Sequence, residues 1–146
     1  MDECGNTPNP TLGMKIGETY TFVQNDRSNY YHPIGFAYFP DGAHDNVEEL
    51  EPGIGFGTNG CNATEETLAC PAPMYFVGGE YVGEYSNIPE IKNITASDNF
   101  GLDDYEPLFF LPLPEWDSKG GFEVKLRFDD ETFAKDIFYF CHVSAS

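Results

Sequence analysis

Basic residues are scarce in this chain: 7 Lys and Arg stand against 25 Asp and Glu, for a formal net charge of −18. A surface this acidic repels phosphates and anionic lipid, so nucleic acid is excluded as an expected partner. Long apolar runs are missing too. None approaches the ~20 residues that a membrane-spanning helix needs, so no membrane span is expected. No signal-peptide pattern opens the sequence, and Met1-Asp2-Glu3-Cys4 reads as the start of a mature chain. Internal repeats and low-complexity linkers are absent, and 146 residues fit one domain, here residues 1–146. There is no G-x-S-x-G elbow, no zinc-ligand helix and no phosphate-binding loop, so no catalytic class is assigned.

Turn formers and aromatics are abundant. Thirteen Phe and nine Tyr, interrupted by 15 Gly and 11 Pro, suit β-structure with many turns rather than long helices. Residues 11–23, "TLGMKIGETYTFV", read as two extended segments hinged at Ile16-Gly17-Glu18, a hairpin candidate. A third strand is expected over 35–40, and a hairpin turning at Gly78-Gly79 over 73–86. Residues 106–116, "EPLFFLPLPEW", read as extended and interrupted by proline. The clearest half-buried strand is 121–129, where Phe122, Val124, Leu126 and Phe128 alternate with Glu123, Lys125 and Arg127. "KDIFYFC", 135–141, is apolar on both faces and reads as a central strand. Short helical turns are expected within 43–50 and 129–135. Seven or more short strands predict an all-β sandwich or barrel.

Four cysteines, Cys4, Cys61, Cys70 and Cys141, together with sequons at Asn62 and Asn93, point to an oxidising compartment. The expected location is secreted, extracellular or at the cell surface, with both asparagines glycosylated. Carboxylates cluster at 41–51, 98–106 and 129–131. They offer oxygen ligands for Ca²⁺, although none follows a known calcium-loop spacing and solvated loops are the plainer reading. Trp116 and tyrosines 75, 81, 85 and 105 suggest either a glycan platform or, more simply, core.

Two stretches carry a family resemblance. "GETYTFVQNDRSNYYHPIGF" resembles the early cupredoxin strands, in which a Gly-Glu turn and a strand lead to the first copper-binding histidine, a place that His32 occupies. "DIFYFCH" resembles the strand that delivers the cupredoxin cysteine. The resemblance implies a Greek-key β-sandwich or barrel, and a copper site built from two His, one Cys and a weak axial ligand. It also implies a second histidine a few residues beyond Cys141, followed by Met. Ser144 and Ser146 stand there instead, and Met14 and Met74 lie elsewhere. His142 follows Cys141 directly, but neighbours on an extended strand project to opposite faces. His44 sits among acidic residues. The His-x-His pairs of multicopper oxidases are missing.

The same resemblance, joined to the 11–23 hairpin, brings Cys4 and Cys141 to one end of the domain, where a disulfide between them is conceivable. Of the three possible pairings, that joining Cys61 to Cys70 is the most economical. The expectation is a non-catalytic binding or structural module, with disulfides Cys61–Cys70 and Cys4–Cys141 and no cofactor. Its partner would be a protein or glycan at the cell surface, or further copies of the chain added through an open sheet edge. The alternative is a copper carrier or electron-transfer protein using His32 and Cys141, with the remaining ligands supplied by His142, His44 or residues outside this chain.

Overall fold

The computed structural model describes residues 10–37, 73–83, 101–128 and 136–141. They form two antiparallel sheets with a few short helical segments, and neither sheet closes into a barrel among the described residues. The four-stranded sheet has the order β1-β5-β3-β4, with β1 at Thr19–Val23, β3 at Met74–Val77, β4 at Glu80–Tyr81 and β5 at Phe122–Arg127. The second sheet pairs β2, Ile34–Ala37, with β6, Phe138–Cys141.

Strand β5 is the centre of the larger sheet because its alternation satisfies two neighbours at once. Phe122, Val124 and Leu126 are buried, while Glu123, Lys125 and Arg127 remain half-buried. It pairs antiparallel with β1, Phe22 opposite Val124, and with β3, Tyr75 opposite Val124. Phe22, Tyr75 and Val124 therefore share one face. On the opposite face Met74, Phe76 and Tyr81 form a smaller buried cluster, and the Lys125 ammonium lies 4.2 Å from the Phe76 ring centroid. The β3–β4 hairpin turns at Gly78-Gly79 as expected. Both glycines have positive φ, +62° and +82°, the conformation that a two-residue type I′ turn requires.

Three expectations need correction. Thr11–Lys15 forms no strand; the chain turns at Ile16-Gly17 and becomes sheet only at Thr19. The stretch 106–116 is helical rather than extended. Directly after α1, at Leu102–Tyr105, come a 3₁₀ segment at Glu106–Phe110 and α2 at Leu113–Ser118. Pro107 and Pro114 fall in the first turns of the latter two, where a missing N–H breaks no helical bond. The third correction concerns β6, which is not sandwiched on both faces. Phe138, Tyr139 and Phe140 are half-buried and Cys141 is exposed. The turns expected within 43–50 and 129–135 lie outside the described residues.

These helical segments supply the aromatic layer of the core. Phe122 is its hub: Phe109 lies 4.7 Å from it between ring centroids, Trp116 5.4 Å in a stacked arrangement, and Tyr105 5.9 Å edge-on. Tyr75, Tyr81, Tyr105 and Trp116 are all buried, so the aromatic residues weighed as a glycan platform are core, and Tyr85 lies outside the described residues. The two sheets meet where Phe22 of β1 packs edge-on against Phe36 of β2, 5.0 Å between centroids.

Two measurements test this architecture. A Cβ on Gly35 would stand 2.8 Å from Phe140 Cζ and 2.9 Å from Leu102 Cδ2. Gly35→Ala should therefore cost about 1–3 kcal/mol in a urea titration, with an unchanged slope. Burial pushes the Tyr105 hydroxyl far above its usual value, and the Glu123 carboxylate adds to the effect. The stability linked to protonated Tyr105 is complete below about pH 10 and is lost as pH climbs above that. Urea midpoints should fall with pH in that range, and less steeply in Tyr105→Phe.

Candidate functional site

The antiparallel pairing of β2 with β6 sets Ile34 opposite Cys141. His32, two residues before Ile34, is thereby delivered to the end of β6. Its Nδ1 lies 3.3 Å from Cys141 Sγ, across 109 residues of sequence. The two residues singled out from opposite ends of the chain thus meet. Among the described residues Cys141 has no disulfide partner, and both it and His32 are exposed.

The loop that presents His32 is built from local hydrogen bonds. Asp26 caps a 3₁₀ turn at Arg27–Asn29, its carboxylate accepting from the Ser28 N–H at 2.8 Å. That bond is the main cause holding the Asp26 carboxyl below its usual range. Arg27 reaches Asp117 at 2.8 Å and ties the loop to α2. A second turn follows, closed by the His32 N–H donating to the Asn29 carbonyl at 2.8 Å. Tyr30 takes φ −60°, ψ 129°, and Tyr31 has φ +68°, the type II pattern that usually places glycine at the third position. A tyrosine held there stores backbone strain, and it immediately precedes His32.

Aromatic contacts hold that strained residue in place. The Tyr31 ring lies 4.0 Å from Tyr30 and 5.6 Å from Phe110 between centroids. The Tyr30 hydroxyl shares its proton between the Leu111 carbonyl at 2.6 Å and the Tyr31 hydroxyl at 3.2 Å. This hydroxyl pairing is the first cause of a Tyr30 pKa pushed up to about 12.

Partial burial pushes the Cys141 thiol up, and the Glu106 carboxylate raises it further. Glu106 is itself buried, at the start of the 3₁₀ segment. With the thiol protonated, Sγ–H donates to an unprotonated Nδ1; with the thiolate, a protonated Nδ1 donates to sulfur. Sulfur and imidazole nitrogen together are a soft donor set of the type that copper favours. For metal–nitrogen and metal–sulfur bonds of about 2.0 and 2.3 Å, a 3.3 Å separation corresponds to an angle of about 100° at a shared ion. The pair therefore fits as two ligands of one metal.

Among the described residues, no group of three or more His, Cys, Asp and Glu side chains is gathered for a metal. His44 and His142 lie outside the described residues, as do Cys4, Cys61, Cys70, Asn62 and Asn93. The Tyr139 hydroxyl donates to the Pro10 carbonyl at 3.0 Å, which ties Pro10 to β6. Of the carboxylates considered for Ca²⁺, Asp103 and Asp104 are exposed on α1, and Asp104 accepts from the Gly101 N–H at 3.3 Å, a helix-capping role. No helix among the described residues is long and apolar enough to cross a membrane. No protein family, no curated protein and no solved structure matches the chain.

Glu106→Gln removes the charge that disfavours the thiolate. Alkylation mapped to the Cys141 peptide should accelerate at pH 8, and the midpoint of its rate against pH should move down. An unmoved profile would mean that Glu106 does not act on the thiol.

Proposed function

We propose that the chain is a cupredoxin-like binding module in which His32 and Cys141 take up copper, serving as a carrier of the metal or of electrons and not as a catalyst. One observation carries this reading, the 3.3 Å approach of His32 Nδ1 to Cys141 Sγ. The antiparallel β2–β6 pairing supports it, because it is the arrangement that brings a histidine before one strand to a cysteine at the end of the other. His32 binds through Nδ1, and Cys141 binds as the thiolate. The bound copper would supply a one-electron Cu(II)/Cu(I) couple.

The thiol must lose its proton when the metal arrives, so copper affinity rises with pH across the range in which Cys141 titrates. The Glu106 charge acts on both events. It opposes thiolate formation in the empty protein, and it adds negative charge beside a bound cation.

Copper retention against a chromophoric Cu(I) chelator, paired with visible absorption after Cu(II) addition, tests the reading on the full chain. One copper per chain is expected, lost in Cys141→Ser and weakened at least tenfold, roughly, in His32→Ala. Equal retention by wild type and Cys141→Ser would overturn it. So would thiol counting that finds Cys141 already oxidised in the native protein, which would return the chain to a disulfide-stapled module.

A further inference from the structure

We infer that Gln24 is a positioning residue for the His32–Cys141 pair, an inference that deepens the copper reading and rests on it. Gln24 follows β1 and is 5% exposed, a buried polar side chain in an otherwise aromatic region. Its Nε2 donates to the His32 carbonyl at 2.7 Å. Its Oε1 accepts from the Ile34 N–H at 3.0 Å and from the Tyr105 hydroxyl at 3.3 Å. The amide orientation follows from these partners, since a reversed amide would set N–H against N–H and oxygen against oxygen.

The side chain therefore straddles His32-Pro33-Ile34 and holds the peptide groups on both sides of Pro33. Pro33 is fully buried and its ring fixes φ, while the His32 N–H is already held by Asn29. Every backbone polar group of His32 is thus anchored, and only its side-chain torsions remain free. Gln24 is anchored in turn, its own N–H donating to the Phe122 carbonyl at 2.9 Å, at the aromatic hub.

The third bond extends the same support to the other half of the site. Tyr105 is wholly buried, and its neighbour Glu106 carries the carboxylate that acts on Cys141. One amide thereby links the end of β1, the His32 loop and the segment bearing Glu106. A buried amide with both ends committed is rigid, because any movement leaves a desolvated donor or acceptor unpaired. Outer residues of this kind set the orientation of metal ligands without touching the metal.

Gln24→Met keeps the length and removes all three bonds, whereas Gln24→Glu keeps the acceptor side and removes the donor to His32. Both are made in the full chain and read in three ways: circular dichroism and melting, the nuclear Overhauser effect between the His32 ring and Cys141 β-protons without metal, and Cu(I) retention. Folded Gln24→Met is expected to lose the cross-relaxation and to hold Cu(I) about tenfold less tightly. Gln24→Glu should lie between it and wild type. Undiminished cross-relaxation in a folded variant overturns the inference, as does its absence from wild type. Unfolding of both variants also overturns it, in favour of a purely structural role. Wild-type protein that retains no Cu(I) but shows the cross-relaxation, with the variants losing it, removes the copper reading alone and leaves the positioning of His32 standing.

Discussion

The register of β2 against β6 is the constraint on which the site depends. With Ile34 opposite Cys141, the residue pair that bears sulfur and imidazole falls at the same end of the same two-stranded sheet. Side chains alternate along a strand, so a slip of one residue would turn Cys141 to the other face and break the 3.3 Å contact. Gly35 helps hold that register, because the ring of Phe140 and the side chain of Leu102 fill the space that a Cβ would occupy. The register thus stands on packing as well as on backbone hydrogen bonds.

The aromatic core and the site share components. Phe122 gathers Phe109, Trp116 and Tyr105, and its carbonyl accepts from the Gln24 N–H. Gln24 in turn holds both peptide groups around Pro33. Rigidity built from dispersion and burial is passed to the histidine through a few hydrogen bonds made by the buried Gln24 amide. The strained Tyr31 persists for the same reason, since the surrounding contacts with Tyr30 and Phe110 over-determine its conformation. The thiol end is governed more by charge: partial burial and the Glu106 carboxylate keep Cys141 protonated to higher pH.

Elements with one dominant local signal were legible in the sequence. The alternation of Phe122, Val124 and Leu126 marks β5 because a half-buried strand demands period two. Gly78-Gly79 marks a hairpin because both positions need positive φ. The segment 106–116 misleads because proline and clustered aromatics mimic an edge strand. The placement of Pro107 and Pro114 in first turns was the signal that fits a helix start. Gln24 carried no signal at all, since a single glutamine after a strand is ordinary until its three partners converge on it.

His32 and Cys141 stood out in the sequence because they lie in the two stretches that resemble cupredoxin strands. Chain order alone left Cys141 open to metal or to Cys4. The sequence by itself determined the sheet-rich class and the acidic charge, since these follow from composition and local periodicity. Tertiary structure decided which donors meet, because the contact between His32 and Cys141 spans 109 residues and exists only through the pairing of two strands. It also decided what holds them, for a buried amide acquires its role only when folding removes water from its partners.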